Sequence, residues 1–113
     1  MVNNYLPDKG DVVWLQFNPQ VGHVQAGKRP ALVLSPREYN QKTGLALFSP
    51  ITSIIKGYPF EVRLPEGLPV EGVILADQIK NLDWISRSAQ FTCKVPTEIM
   101  QEVILKIETL FKD

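Results

Sequence analysis

The chain has 113 residues, 44% of them hydrophobic and 21% charged, the length of one domain and the composition of an ordinary globular protein. Twelve basic and twelve acidic residues balance to a formal net charge of zero. That balance gives no support to broad, charge-driven nucleic-acid binding of the kind that weakens steeply with salt, so a polyanion would have to meet a local patch. The single cysteine, Cys93, excludes an internal disulfide, no apolar run approaches the ~20 residues of a membrane span, and no basic-then-apolar signal opens the chain. One cytoplasmic domain, residues 1–113, without membrane contact, is expected. The buried fraction of surface rises with chain length, so a chain this short is only modestly endowed with core, and burying a further apolar face in a homodimer is also expected.

The elements follow in chain order. Asp11–Phe17 alternates so that Val13, Leu15 and Phe17 share one strand face, closed by Asn18-Pro19. Further short strands are read at Ala31–Ser35, Leu45–Ser49, Tyr58–Arg63 and Gly72–Ala76, each bounded by Pro, Gly or Asn. Spacing this even predicts a small barrel. Between the second and third strands, Pro36 suits the first turn of a helix and Gly44 its left-handed terminator, so a helical turn is expected there. Cys93, beside Thr92 and Lys94, sits in another apparent strand as a filler. From Pro96 onward the period changes: Met100, Val103, Ile104, Ile107, Leu110 and Phe111 recur at helical spacing, with Glu102 to Lys106 and Glu108 to Lys112 as i,i+4 pairs on the opposite face. This is an amphipathic helix that packs on the barrel, with Pro96 at its first position. The fold class is therefore mainly β, with short helices and a C-terminal amphipathic helix.

The chemistry available is limited. His23 and Cys93 stand seventy positions apart, which gives neither metal-ligand spacing nor a Cys/His nucleophile pair, and one histidine excludes a two-histidine acid–base nuclease by count. No Walker or Rossmann glycine pattern is present. Two stretches between apolar runs stand out: Gln25-Ala-Gly-Lys-Arg-Pro30 and Pro50–Phe60. Arg29 lies between a flexible Ala26-Gly27 entry and Pro30, where a guanidinium's planar fork suits a phosphate; read blandly, it is a surface arginine. Thr52-Ser53 offers two hydroxyls, and Lys56-Gly57-Tyr58 adds a cation, a hinge and a ring able to stack on a base, or else simply a polar hairpin loop. Asp77-Gln78 and Lys80 could read base edges, or the Asp-Gln pair could form a dimer-interface network, and Trp14 adds a second aromatic.

The ordered series Pro7–Asp11, Gln25–Ala31, Leu34-Ser-Pro36, Thr52-Ser53, Lys56–Phe60, Leu75–Gln78 and Leu82-Asp-Trp84 resembles the MazF/PemK family of toxin endoribonucleases, the mRNA interferases. The resemblance implies a small SH3-like β-barrel of the CcdB/MazF type, a homodimer, and sequence-specific cleavage of single-stranded RNA without metal or other cofactor. In that chemistry the substrate's own 2′-hydroxyl attacks the adjacent phosphate and leaves a 2′,3′-cyclic phosphate and a 5′-hydroxyl. It also implies a cognate, MazE-like antitoxin whose mostly disordered acidic tail folds into the RNA groove. Arg29 and Thr52 fall on the catalytic positions. Gln25, Lys28, Ser53, Lys56, Tyr58, Asp77 and Gln78 fall on substrate-binding ones, and Trp14 on a groove or antitoxin contact. One departure stands out: the family often carries a glutamate directly ahead of Gln-Ala-Gly, and this chain has Val24. Valine can neither orient Arg29 nor take a proton, which keeps a catalytically attenuated, binding-only homologue as an alternative. A topoisomerase-poisoning toxin of the same fold is the other; the terminal Leu-Phe-Lys-Asp, in place of a Trp-Gly-Ile tail, counts against it.

Overall fold

A computed structural model of the chain describes residues 4–17 and 27–112. Among them are seven strands: β1 (Asp11–Gln16), β2 (Lys28–Val33), β3 (Leu45–Thr52), β4 (Glu61–Arg63), β5 (Val73–Leu75), β6 (Lys80–Asp83) and β7 (Gln90–Lys94). Helix α1 (Arg37–Thr43) links β2 to β3, and α2 (Thr97–Glu108) runs into a 3₁₀ turn, Thr109–Phe111. Every strand pairing is antiparallel, in the order β4-β5-β3-β2-β1-β7, with β6 also on β3.

Strand β3 is shared by the whole sheet. One edge meets β2, with Ala31 opposite Pro50 and Val33 opposite Phe48. Its other edge takes β6 along Leu45 to Phe48 and β5 at Ile51 and Thr52. The mainly β fold is as expected, though the word barrel fits it loosely: among the described residues no ladder joins β4 to β7, so the sheet is not closed. Strand β4 is three residues long and offers too few backbone groups to carry the pairing round.

Because strand side chains alternate, the sheet buries apolar residues on both faces. Val12, Leu32, Ile51 and Ile74 form one cluster, capped by Val103 of α2; Val13, Leu15, Phe17, Ala31, Val33 and Phe48 form the other. The shared face of Val13, Leu15 and Phe17 is as the alternation predicts. Cys93 packs against the first cluster, and its burial pushes the thiol pKa up, which keeps it protonated and inert.

Most polar groups buried in this framework are paired, the Ser49 hydroxyl of β3 being an exception. Asn40 of α1 is fully buried; its amide donates to the carbonyls of Pro7 (2.8 Å) and Ser35 (3.0 Å), and its Oδ1 accepts the Ser35 hydroxyl (2.6 Å). The Asn40 carbonyl accepts the indole N–H of Trp84 at 3.1 Å, so this one residue fastens the helix to the N-terminal segment and to the turn after β6. At the start of β1, the buried Asp11 carboxylate accepts the Tyr5 hydroxyl (2.6 Å) and the Asp8 amide (3.0 Å) and pairs with Lys94 at 2.8 Å. Burial first, and the hydrogen bond to Asp11 second, push the Tyr5 pKa upward and hold the phenol as a donor.

Both helices are bounded as the sequence suggests, one residue apart from expectation at the start. Pro36 and Pro96 are extended N-caps rather than first helical residues, and Gly44 closes α1 in the left-handed conformation with φ +71°. The apolar stripe of α2 buries Val103 and packs Ile99, Met100 and Ile107, but Leu110 and Phe111 belong to the 3₁₀ turn and are exposed. Neither expected i,i+4 ion pair closes within 4.0 Å; Lys106 instead donates to the Pro59 carbonyl at 2.5 Å.

One glycine determines how closely β5 can approach β3. Gly72 has φ +115°, and a Cβ built there would stand 2.0 Å from the Thr52 carbonyl oxygen and 2.9 Å from the Ser53 Cα. Both obstacles are backbone, and the dihedral is one that L side chains rarely adopt. Gly72→Ala is therefore expected to lower stability by about 3 kcal/mol, read as the shift of the urea unfolding midpoint. An unchanged midpoint would mean that the β3–β5 contact yields without cost.

Candidate active site

Arg29 and Thr52 lie just beyond the paired part of β2 and β3. The ladder runs from Val33 with Phe48 to Ala31 with Pro50; Arg29 is two residues before Ala31 and Thr52 two after Pro50. Residues two apart on a strand project to the same face, so Arg29 shares the face of Ala31 and Thr52 that of Pro50. The sequence reading placed both outside strands, at the mouth of one and in a loop after another; the structure makes Arg29 the second residue of β2 and Thr52 the last of β3.

Both line one open groove of about 510 Å³, together with Trp14, Lys28, Ser53 and Glu71. Among the described residues the exposed Arg29 guanidinium has no hydrogen-bond or ion-pair partner, so its fork is available to a ligand. The Thr52 hydroxyl accepts the Ile54 amide at 3.1 Å, which orients its oxygen and leaves its own proton free to donate. Lys28 is held differently: its ammonium donates to Gln90 Oε1 of β7 at 2.8 Å, fixing a positive charge at the groove's edge.

A smaller hollow of about 160 Å³ adjoins the groove and shares Thr52 and Ile54 with it. Lys56, Tyr58, Glu61 and Gln78 also line it. The Lys56 ammonium lies 5.9 Å from the centre of the exposed Tyr58 ring. Beneath this arm, the Glu61 carboxylate accepts the backbone amides of Lys56 (3.1 Å) and Gly57 (2.9 Å). The two concavities thus meet at Thr52 and form one surface holding Trp14, Lys28, Arg29, Ser53, Lys56, Tyr58 and Gln78.

Asp77 lines neither hollow and is exposed in the turn after β5. Lys80 stands over the Phe17 ring, at 5.8 Å. Gln25, with His23 and Val24, lies outside the described residues. Three residues missed in the sequence are Glu61, Glu71 and Gln90. A carboxylate four residues after Gly57 was a readable signal for the first; the second and third reach the site only through tertiary pairing. Among the described residues no group of three or more His, Cys, Asp or Glu side chains is placed to hold a metal ion, and no helix is long and apolar enough to cross a membrane.

Comparison with known proteins fits this geometry. Residues 8–111 match the family model of the PemK-like, MazF-like toxin of type II toxin-antitoxin systems. The endoribonuclease toxin MazF of Escherichia coli (strain K12) is 49% identical over 110 residues, spanning 97% of this chain and 98% of that protein. The endoribonuclease toxin ChpB of the same strain is 34% identical over 109 residues, spanning 91% and 92%. Among solved structures, MazF from Deinococcus radiodurans superposes with a TM-score of 0.87 at 53% identity, covering 96% of this chain and 98% of that one. A MazE-MazF structure from the same organism matches with a TM-score of 0.86 at 48% identity, covering 96% and 97%. On sequence and on fold, the chain belongs to the PemK-like, MazF-like family of toxins of type II toxin-antitoxin systems.

Proposed function

We propose that the protein is a sequence-specific endoribonuclease toxin that acts on single-stranded RNA in the cytoplasm, as a homodimer, without a metal ion. A MazE-like antitoxin would restrain it by laying an acidic tail in the same groove. The observation that carries the reading is the open groove that an unpartnered Arg29 and Thr52 line together, with Lys28 at its edge. Relatives across nearly the whole chain are endoribonucleases, and a MazE-MazF complex is among the matching structures.

The residues account for the chemistry as follows. The RNA supplies the nucleophile: its 2′-oxygen forms a bond to the adjacent phosphorus while the bond to the 5′-oxygen breaks and that oxygen takes a proton from solvent, leaving a 2′,3′-cyclic phosphate and a 5′-hydroxyl. Negative charge gathers on the non-bridging oxygens in the transition state. Arg29 meets that charge with two parallel N–H donors and Thr52 with its hydroxyl, already oriented by the Ile54 amide. Glu71, the carboxylate that lines this groove among the described residues, takes the 2′-hydroxyl proton, a role that Val24 cannot fill. Trp14 and Tyr58 offer faces for base stacking, with Ser53, Lys56 and Gln78 at hand for polar contacts. Asp77 lines neither hollow, and its place among the proposed RNA contacts rests on the resemblance alone.

The direct test maps the ends of a long RNA after incubation with purified protein and EDTA, with the protein's mass in solution checked by light scattering. The expected result is cleavage at one short sequence, 2′,3′-cyclic phosphate and 5′-hydroxyl ends, suppression by a MazE-like antitoxin, and a mass twice the 12.8 kDa of one chain. Cleavage restored only by added magnesium, or RNA bound but left intact, would contradict it.

For the proton acceptor, Glu71→Gln is expected to lower the single-turnover cleavage rate by about 10²-fold, the low end of what a positioned acid–base group supplies. RNA affinity should hold or rise, since a negative charge is removed from the groove. An unchanged rate would pass the role to solvent.

A further inference from the structure

The arm from Lys56 to Pro59 carries two of the proposed RNA contacts, yet it has no regular secondary structure and its side chains are exposed. Left alone, such a segment would lose contact energy to the entropy of ordering on each binding event. Two anchors hold it. The Glu61 carboxylate receives the Lys56 and Gly57 amides on its two oxygens, Oε2 and Oε1, at 3.1 and 2.9 Å. From the other side, the Lys106 ammonium of α2 donates to the Pro59 carbonyl. Gly57 takes φ +83°, which aims its N–H at the carboxylate. Glu61 itself is fixed by its place at the start of β4, opposite Leu75.

We infer that Glu61 is a positioning residue for RNA: by gripping two consecutive amides it presents Lys56 and Tyr58 in their binding arrangement over the hollow that adjoins Thr52. The inference rests on the endoribonuclease reading above and deepens it. Its physical content is a sign. A carboxylate facing a polyanion site repels the ligand, so if Glu61 were merely a charge there, its neutralisation would tighten RNA binding. If it holds the arm, neutralisation weakens binding, because an amide side chain can accept only one of the two N–H groups and sets its own NH₂ against the other.

The experiment compares wild type, Glu61→Gln and Glu66→Gln in RNA affinity and in single-turnover cleavage at saturating RNA. Glu66 is a control for charge: it is exposed and lines neither of the two hollows that meet at Thr52. Glu61→Gln is expected to raise the dissociation constant roughly tenfold, the size of losing one base–aromatic stack, while the rate at saturation stays within about threefold of wild type. Glu66→Gln should leave affinity unchanged or slightly tighter. Equal or tighter binding by Glu61→Gln, or a fall in the saturated rate with affinity intact, overturns the inference. Thermal unfolding of Glu61→Gln should match wild type; if it does not, faster hydrogen exchange must be confined to the Lys56 and Gly57 amides, and exchange spread over the sheet also overturns it. If wild type itself leaves RNA intact, the endoribonuclease reading falls and takes this one with it.

Discussion

The closeness of Gly72 to the Thr52 carbonyl is the constraint on which the rest of the site depends. A side chain of any kind at position 72 would meet backbone at 2.0 Å, so only glycine lets β5 pair with the end of β3 at Ile51 and Thr52. That pairing holds Thr52, the last residue of β3, in an extended conformation at the groove that Arg29 also lines. It also brings Glu71, the residue before Gly72, to the rim of the same groove. The proposed catalytic pair is thereby carried on strands that run into the core, while the proposed recognition arm is a loop tied down by side chains. Groups that must meet a transition state gain most from the stiffer support.

Electrostatics point the same way. The chain has no net charge, and the groove with its adjoining hollow gathers Lys28, Arg29 and Lys56. Contacts to three phosphates of a single strand would give a salt slope of only about −2, too shallow for charge to supply most of the affinity. Base stacking at roughly 1–3 kcal/mol per aromatic ring is then the larger contribution, which gives Trp14 and Tyr58 more weight than their number suggests. Arg29 differs from the other two cations because its donors are unengaged, whereas Lys28 is held by Gln90 and Lys56 leans on Tyr58. An unengaged planar fork is what a charge that develops during reaction requires.

Much of this was legible in the sequence where a period or a motif carried the information. The alternation in Asp11–Phe17 and the helical spacing after Pro96 arise from burial on one face, and burial leaves its mark in residue type. Strand β6 left little mark: Lys80-Asn-Leu-Asp83 is mostly exposed, pairs with β3 along its backbone and sends only Leu82 against the core. The expected small barrel holds only loosely, because the sheet is not closed, and even spacing of strands says nothing about whether a three-residue β4 can complete a ladder. Arg29 and Thr52 were found through motif order, while their meeting in one groove could not be read from it. Lys106 was assigned to Glu102 by helical spacing and instead reaches Pro59, because a neighbouring element offered a better acceptor than water-exposed charge. Glu71 and Gln90 became visible only when distant strands were laid side by side.

The account's central claim is that β2 and β3 deliver Arg29 and Thr52 to a single transition state. A double-mutant cycle in single-turnover RNA cleavage, with Arg29→Lys, Thr52→Val and the pair together, measures this directly. Groups that act on one transition state are strongly non-additive, so the double variant should lose clearly less than the product of the two single losses, by about tenfold or more. Losses that multiply within experimental error would show that the two residues act independently and would contradict the account.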